Sequence, residues 1–510
     1  MKFFLKLLIA YSILCRLFGV IIEKKGLSFN ESITYLCAAG KESSYQDFVN
    51  KDSSTVVLNQ AITNNYVPEP GTHFNDVSYG MAMTDRHPPL FFLIMHAVVK
   101  CIGYSMYDGL VVNFILTLLC LALLYKISDR IFQDKLYTYI ACAIWMLSSA
   151  TAHINIEGRE YQLLCFFILS NLYLNFKIIF DNDYRLQTFL YFILINAGGF
   201  LTHYYYGFLL IPSTLILFMV NKLNKKFLIY MSSLLISLGL FFLIYHDFFL
   251  FWHHFSRAPK FETGTTNRIK PLIYTPLEFF SWFHIGRYIY LALLAIYLLY
   301  IIVKKNLIKV IKSKLGIISP TSFVFYSLVW YIVFTYIFYL KGISPAQASG
   351  MHYFCYIWPL LSIFLVLLFS YFSPDKIKLI FSIHLVQLAI SLIFALSHDT
   401  YYAGNVVNQN WVSKINSSDI LYMETPDRGL MPRTAINFKD NLKVLFGRDT
   451  QKNYELLSSF SHISLLIPFD DKGKTDTSAK DLLALFKKNN FKINSSMNED
   501  YIFYEVEPNK

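Results

Sequence analysis

Long apolar runs separated by short polar connections dominate the first 396 residues. Runs of this length predict membrane-spanning helices, because about 20 residues rising 1.5 Å each cross ~30 Å of hydrocarbon. Arg16 interrupts the first run and no small-residue cleavage site follows it, so this run predicts an uncleaved helix. We expect about eleven spans, at residues 3–22, 109–125, 136–152, 161–176, 187–201, 204–220, 227–246, 288–303, 320–340, 353–372 and 379–396.

The pattern changes after residue 396, where polar positions become frequent. Runs at His462–Pro468 and Tyr501–Val506 are typical of strands, and Ala479–Lys488 has helical spacing. We therefore expect a transmembrane domain over residues 1–396 with a large first outer loop at 23–87. A small soluble α/β domain is expected over residues 397–510.

The composition supports an α-helical polytopic membrane protein. Apolar residues make up 55% of the chain and charged residues 15%, against about 45–50% and about 25% in soluble proteins. Soluble, disordered and fibrous classes are therefore excluded. The net charge of +11 would suggest nucleic acid in a soluble protein, but here the location of the charges carries the information. The seven cysteines form no CxxC motif and no disulfide framework.

The connections between the runs fall into two alternating sets. One set, at residues 23–87, 153–160, 202–203, 247–287 and 341–352, carries few cations for its length. The positive-inside rule places the other, cation-rich set in the cytoplasm. The N-terminus is then cytoplasmic, and the first set and the C-terminal domain lie outside. The cytoplasmic cations are Lys2, Lys6, Lys126, Arg130, Lys135, Lys177, Arg185, Lys222, Lys225, Lys226, Lys304, Lys305, Lys309, Lys312, Lys314, Lys376 and Lys378.

The segment Pro88–Ile102 is apolar but short, and it contains His96 and Lys100. If it crossed the membrane, every later connection would change sides and the cation-rich set would be divided. We interpret it as an amphipathic helix lying along the outer surface. A twelfth span is the alternative.

Unusual polar residues collect on the predicted outer side, although they come from four separate connections. Charged groups next to lipid are expensive unless they are paired or solvated, so this grouping predicts a polar cavity at the outer leaflet. The residues are Glu31, Asp85, Arg86, His87, Glu157, Arg159, His203, Lys341 and His352.

Each of these residues also has a structural interpretation. Glu31 could begin a helix or be a solvated loop charge, and Glu157 could pair with Arg159. His203 and His352 could be hydrogen-bonded structural histidines. Tyr204–Tyr206 are typical of the aromatic belt at a membrane interface.

In chain order, the candidate residues form a series of motifs. Glu31 follows the first helix, and His87-Pro88-Pro89-Leu90 opens a helix. Next come Glu157-Gly158-Arg159-Glu160-Tyr161, Thr202-His203-Tyr204, and a late helix with Tyr353 and Pro359-Leu360. Over roughly residues 1–370 this series resembles the GT-C superfamily of membrane glycosyltransferases. The resemblance is to the glycosyltransferase family 39-like group, which includes protein O-mannosyltransferases and lipid A aminoarabinose transferases.

The resemblance implies transfer of a sugar from a polyprenyl phosphate to an acceptor hydroxyl at the outer face, with inversion. Glu31 matches the catalytic acid, which is commonly Asp-Glu in the family, whereas this chain has Asn30 before Glu31. Glu31 is then the expected general base, with Asp85 as a second acid.

The substrate-binding residues expected from the resemblance are mostly cations and imidazoles, which suit a phosphate leaving group. The late helix usually opens with Arg-Tyr, and here the pair is His352-Tyr353. The expected set is Arg86, His87, Glu157, Arg159, Tyr161, His203, Lys341 and His352.

No cofactor is required by this chemistry, because fixed cations can neutralise the phosphate, although the requirement for a divalent metal is left open. Asp181-Asn182-Asp183 resembles a DxD metal motif, but it falls in a predicted cytoplasmic connection. The expected partners are a polyprenyl-phosphate sugar donor, a glycan, lipid or protein acceptor, and the lipid bilayer, with no nucleic acid. The expected location is the bacterial inner (plasma) membrane.

Three other functions stay open at the level of sequence. A transporter or flippase for lipid-linked glycans would carry charges within its spans and show repeated halves, whereas here the charges cluster at one face. A non-catalytic binder of lipid-linked sugar is compatible with Asn30 and His352. An oligosaccharide ligase is the alternative enzyme.

Overall fold

The computed structural model describes most of the chain. The described residues are 2–19, 24, 27–41, 55–84, 87–256, 319–339, 352–369, 382, 385–386, 388–390, 392, 409–423, 438–446, 449–468, 477–497 and 501–509. Several predicted spans and site residues lie outside this set, among them the span at 288–303, Asp85, Arg86 and Lys341.

The described secondary structure is mainly helical. The α-helices are, in chain order, α1 Lys2–Leu14, α2 Phe29–Ala38, α3 Asn59–Thr63, α4 Phe74–Thr84, α5 Leu90–Ile102, α6 Asp108–Phe132, α7 Lys135–Leu147, α8 Ser149–Ile156, α9 Tyr161–Phe180, α10 Leu186–Thr202, α11 Tyr206–Leu209, α12 Ile211–Asn221, α13 Lys225–Ile244, α14 Phe248–Ser256, α15 Pro320–Tyr339, α16 Trp358–Phe369, α17 Gln409–Ser417, α18 Thr450–Leu457 and α19 Thr477–Lys488. A π-helical turn at Cys15–Gly19 extends α1, and a 3₁₀ turn follows α3 at Asn64–Tyr66.

The strands are β1 Thr55–Leu58, β2 Ile420–Met423, β3 Lys443–Phe446, β4 Ile463–Pro468, β5 Phe491–Met497 and β6 Tyr501–Pro508. They form one six-stranded sheet of order β1-β3-β2-β4-β6-β5. The strands expected near 462–468 and 501–506 and the helix expected near 479–488 are present as β4, β6 and α19.

The chain divides into two compact units. The first, the helical unit, comprises Met1–Glu23, Arg86–Phe91 and Leu110–His398. The second, the mixed unit, comprises Lys24–Asp85, Phe92–Gly109 and Asp399–Lys510. Much of the predicted first outer loop is thus grouped with the C-terminal residues. The predicted division at residue 396 into a transmembrane and a soluble domain stays a prediction.

Three described helices are long and apolar enough to cross a membrane: α6, α9 and α13. A fourth candidate is the pair of α7 and α8, which is bent by 57° at a short break. The span expected at 136–152 thus corresponds to two helices with a break between them. The helix breaks between Leu147 and Ser149, because Ser148 ends α7 and its hydroxyl caps α8 by accepting from the Thr151 amide at 3.4 Å.

Arg16 stabilises this break from the first helix. Its side chain is fully buried and Nη2 donates to the carbonyl oxygen of Met146 at 2.5 Å. The Ser12 hydroxyl donates to the same carbonyl at 2.7 Å. The last carbonyls of a helix lack intrahelical donors, and a cation is favoured near them. Arg16, which interrupts the first apolar run, thus provides a hydrogen-bond donor for a carbonyl at the C-terminal end of α7.

The sheet of the mixed unit has a parallel centre and antiparallel edges. Strand β2 pairs in parallel with both β3 and β4, and β6 runs antiparallel between β4 and β5. Alternate side chains of β2 point to opposite faces, as a strand requires. Leu421 packs in one core with Trp411 of α17, and Tyr422 packs in the other with Phe486 of α19.

Strand β1 comes from the predicted outer loop and pairs antiparallel with β3, Val57 lying opposite Val444. Asn59 continues this contact, because its side-chain amide donates to the Phe438 carbonyl at 3.1 Å. The predicted α/β domain at 397–510 therefore lacks one strand, which a separate part of the chain supplies.

The segment Pro88–Ile102 forms α5 from Leu90 onward. With 13 residues, this helix is about 20 Å long at 1.5 Å per residue. His96 and Lys100 of this helix form contacts within the mixed unit: His96 Nδ1 lies 2.7 Å from the Ala38 carbonyl, and Lys100 donates to the Thr72 carbonyl at 2.8 Å. The helix is as expected, and its position along the outer surface stays a prediction.

Candidate functional site

A buried polar cluster forms in the helical unit at the start of α9. It contains His87, Glu157, Arg159, Glu160, Tyr161, His203 and His352, all of which are at most 12% exposed. These residues come from four distant parts of the chain. We call this set the polar cluster.

The backbone turn between α8 and α9 places three of these side chains. Glu157 ends α8 and Glu160 precedes α9. The Arg159 amide donates to the Glu157 carbonyl at 2.7 Å, which closes the turn. The buried Asn113 amide of α6 donates to the carbonyls of both Glu157 and Arg159, so α6 fixes the turn from outside. An asparagine within a membrane span is costly unless it is hydrogen-bonded. Asn113 could therefore have been selected from the sequence, as a polar residue inside a predicted span, but it was not.

Glu160 is the centre of the cluster. Its Oε1 lies 3.2 Å from His87 Nε2, and its Oε2 lies 3.2 Å from Arg159 Nε. Arg159 Nη2 lies 3.2 Å from His87 Nδ1, which closes a triangle of three side chains. Sequence analysis placed Glu160 within the motif but did not select it as a site residue.

Glu157 forms a close pair with His352. Glu157 Oε2 lies 2.9 Å from His352 Nε2, and the His352 ring stacks on Tyr161 with centroids 5.3 Å apart and planes 12° apart. The structural Glu157–Arg159 pair considered from the sequence stays a prediction. Arg159 lies against Glu160, its neighbour in the sequence, whereas Glu157 lies against His352, which follows it by almost two hundred positions.

The end of α10 positions His203. The C-terminal cap of α10 is His203, and its ring centroid lies 5.3 Å from that of His87. The packing behind it is tight, because a Cβ at Gly199 would overlap the ring of Tyr206. The Tyr206 hydroxyl donates to Asn196 Oδ1 at 2.9 Å, and Asn171 donates to the same oxygen. Tyr206 is fully buried, so the aromatic-belt interpretation is wrong for this residue.

The hydrogen bonds of the cluster fix the tautomers of two histidines. The Arg159 guanidinium can only donate, so His87 Nδ1 must accept. The Tyr205 amide donates to His203 Nδ1 at 3.3 Å, so this nitrogen accepts as well. A neutral imidazole whose Nδ1 accepts carries its proton on Nε2.

These tautomers bear on metal binding. His87, Glu160 and His203 each offer one ligand atom, and these atoms lie within 4.8 Å of one another. A metal-binding histidine donates its other N–H to an acceptor, but here the other nitrogens face N–H donors. The arrangement therefore suits hydrogen-bond donors pointing into the cluster better than metal ligands.

Glu31 lies in the mixed unit and has a different environment. It is fully buried at the start of α2, where it forms a capping box with Ser28. Oε2 accepts from the Ser28 amide at 2.8 Å, and Oε1 lies 2.6 Å from the buried Lys24 ammonium. The helix-start interpretation therefore describes the local structure of Glu31 well, and the pairing with Lys24 was not foreseen.

A group of tyrosines lies in the same unit as Glu31. The rings of Tyr35, Tyr66 and Tyr104 have centroids 5.2 to 5.9 Å apart. Burial raises the pKa of the Tyr35 and Tyr104 phenols well above their ordinary value, and the negative charge of Glu31 adds to the shift. Both phenols therefore stay protonated and can donate hydrogen bonds at any physiological pH.

Residues 86–245 match the family model of Dolichyl-phosphate-mannose-protein mannosyltransferase. No curated protein matches the chain in a sequence comparison. Among solved structures, ArnT from Cupriavidus metallidurans bound to undecaprenyl phosphate is similar, with a TM-score of 0.53 and 12% identity, covering 99% of this chain and 98% of that chain.

Two further structures are more distant. ArnT from the same organism in the apo state has a TM-score of 0.49 and 11% identity, covering 88% of this chain and 93% of that chain. The archaeal oligosaccharyltransferase AglB from Archaeoglobus fulgidus, in complex with an inhibitory peptide and a dolichol-phosphate, has a TM-score of 0.38 and 11% identity, covering 93% of this chain and 74% of that chain.

The match to the family model contains six of the seven cluster residues, all except His352. The likeness to ArnT covers nearly the whole chain and shows the fold, so the predicted polytopic helical architecture with a small C-terminal α/β region is confirmed. Residues 86–245 are thus similar to the protein mannosyltransferase family, and the chain as a whole has a fold similar to that of ArnT.

Proposed function

We propose that the chain transfers a sugar from a polyprenyl-phosphate donor to a hydroxyl group of a glycan, lipid or protein acceptor. The reaction is proposed to occur at the extracytoplasmic face, with inversion at the anomeric carbon. The polar cluster is the observation that carries the proposal, because a buried arginine with three imidazoles is suited to a phosphate. The similar ArnT structure was determined with undecaprenyl phosphate bound.

The cluster supplies hydrogen-bond donors that can hold the charge that develops on the leaving phosphate. His87 and His203 each carry the proton on Nε2 in the tautomers described above. Arg159, which lies against Glu160, adds a guanidinium to these donors.

Glu31 is proposed as the general base. Both of its oxygens already accept one hydrogen bond, from Lys24 and from Ser28. A carboxylate oxygen has a second lone pair, with which Glu31 can accept the proton of the acceptor hydroxyl. The hydroxyl oxygen then attacks the anomeric carbon from the side opposite the phosphate, and the bond to the phosphate breaks. Asp85, which lies outside the described residues, stays the second candidate acid.

The experiment that tests this proposal is the Glu31→Gln substitution, measured as sugar transfer from a polyprenyl-phosphate donor by the purified full-length protein. Glutamine keeps the capping box, because its oxygen can still accept from the Ser28 amide. We expect transfer to fall by at least about a hundredfold, the usual contribution of a general base. The same substitution combined with Lys24→Gln avoids an unpaired buried ammonium and should be equally inactive.

The matched control is Ser28→Ala, which removes the capping hydroxyl and keeps the Glu31 carboxylate. It should cost about 1 kcal/mol of stability and leave transfer active. Full transfer by both Glu31 variants would reject Glu31 as the base. Mass spectrometry of lipids and glycans from a deletion strain identifies the substrates: an accumulated donor with an unmodified acceptor is expected. Normal glycans in that strain would favour a non-catalytic binder, and a donor trapped on the cytoplasmic side would favour a flippase.

A further inference from the structure

Three cations converge on one tyrosine ring at the far end of α9. The Nζ atoms of Lys126 and Lys177 lie 5.5 and 5.4 Å from the centroid of the Tyr173 ring. The guanidinium carbon of Arg130 lies 5.9 Å from the same centroid. Lys126 and Arg130 are one turn apart on α6, and Tyr173 and Lys177 are one turn apart on α9. Two helices therefore present their cations to one point.

In the part of the chain that the structure describes, acidic side chains balance only part of the charge at this point. Asp181 forms an ion pair with Arg130. Neither Lys126 nor Lys177 has an ion-pair partner in the part of the chain that the structure describes. Two positive charges thus remain near one ring, and a cation–π contact at an exposed site contributes only about 0.5–1 kcal/mol. An anion bound between the two helices would compensate the repulsion more effectively.

The position of these three cations along α9 indicates which kind of anion they bind. Tyr173 follows Tyr161 of the polar cluster by twelve residues on the same helix, which is about 18 Å at 1.5 Å per residue. The two sites therefore lie towards opposite ends of a helix long enough to cross the membrane. The end of such a helix is where phospholipid headgroups lie.

We propose that Lys126, Arg130, Tyr173 and Lys177 bind the phosphate headgroup of an anionic membrane phospholipid. The two lysines contact the phosphate, and Arg130, held by Asp181, gives the site its third positive group. The Tyr173 ring gathers the cations and presents its hydroxyl as a further donor. The site is separate from the proposed donor site and requires no part of the transfer reaction.

Native mass spectrometry of the purified full-length protein tests this site, with phosphatidylglycerol and phosphatidylcholine as probes. We expect one phosphatidylglycerol to be retained in preference to phosphatidylcholine. The double variant Lys126→Gln/Lys177→Gln should bind phosphatidylglycerol about thirtyfold more weakly, since one lysine near an anionic surface contributes roughly fivefold. Tyr173→Phe should keep part of the preference, and Tyr173→Leu should lose most of it.

The matched control is Lys222→Gln/Lys225→Gln, which removes two exposed lysines from the same predicted side. In the described residues neither of these lysines lies over an aromatic ring, so this variant should keep the preference. An equal loss in the control would show a diffuse surface effect and overturn the proposal. So would the absence of any preference in the unmodified protein, or binding of inorganic phosphate in place of the lipid at equal affinity.

Discussion

At the scale of single residues, Glu160 organises the polar cluster. Its two oxygens contact different partners, His87 and Arg159, and those partners contact each other. Glu160 is fully buried, and its carboxylate is stabilised by the nitrogens of His87 and Arg159, each 3.2 Å from one of its oxygens. The residue therefore fixes both the direction of the guanidinium and the tautomer of the imidazole. We regard it as a positioning residue for phosphate recognition.

Glu160→Gln should raise KM for the polyprenyl-phosphate donor more than it lowers kcat. The amide keeps one accepting oxygen but turns a donor towards either His87 or Arg159, so the guanidinium loses its orientation. Breaking a buried ion pair costs about 3–5 kcal/mol, and we expect a lower unfolding temperature. The measurement is KM for the polyprenyl-phosphate donor alongside kcat.

Asp129→Asn is the control for this change, because it removes an acid from the half-exposed pair with Lys135. Surface pairs contribute about 0–1 kcal/mol, so KM and the unfolding temperature should both stay near their original values. If Glu160→Gln lowers stability but leaves KM unchanged, Glu160 supports the fold and has no role in donor recognition.

At the scale of secondary-structure elements, the residues of the polar cluster lie where helices end or are interrupted. The break between α7 and α8 allows α8 to end at Glu157, and the cap of α10 presents His203. Polar groups that would be costly in a continuous apolar helix are satisfied at these ends, by Arg16 at Met146 and by Asn113 at the turn. The close packing of Tyr206 against Gly199 keeps the end of α10 in place.

Gly199→Ala should destabilise the protein and displace His203. The added methyl group would overlap the buried ring of Tyr206, and overpacking of this kind costs about 1–3 kcal/mol. Gly239→Ala, in α13, is the matched control, since a Cβ there meets nothing within 4 Å. Alanine in a helix is favoured over glycine by about 0.8–1.0 kcal/mol. Thermal unfolding of both variants should move in opposite directions, and a stable Gly199→Ala protein would contradict the packing argument.

At the scale of the whole molecule, segments distant in sequence assemble into each unit. The mixed unit takes β1 from the first third of the chain and its other strands from the last hundred or so residues. The helical unit brings His352 to Glu157. The side of the membrane on which each connection lies is predicted from the distribution of lysine and arginine residues. Chemical labelling can measure it directly.

Cysteine labelling with a membrane-impermeant maleimide tests the sidedness. Cys101 is the exposed cysteine among the seven in the chain, so Cys101→Ser provides the background. A cysteine at exposed Gln451 should react in intact cells, whereas one at exposed Lys225 should react only after permeabilisation. Reaction of both positions in intact cells, or of neither, would contradict the predicted topology.

The sequence by itself determined the class of the molecule, the helical character of most of the chain and the motifs around His87, Arg159 and His203. These features follow from local patterns, namely the length of apolar runs and the types of residues at their ends. The tertiary structure decided which partners those residues have. Glu157 could not be matched to His352, nor β1 to β3, from spacing alone, because such contacts depend on how separate helices and strands pack, and packing is a property of the folded chain.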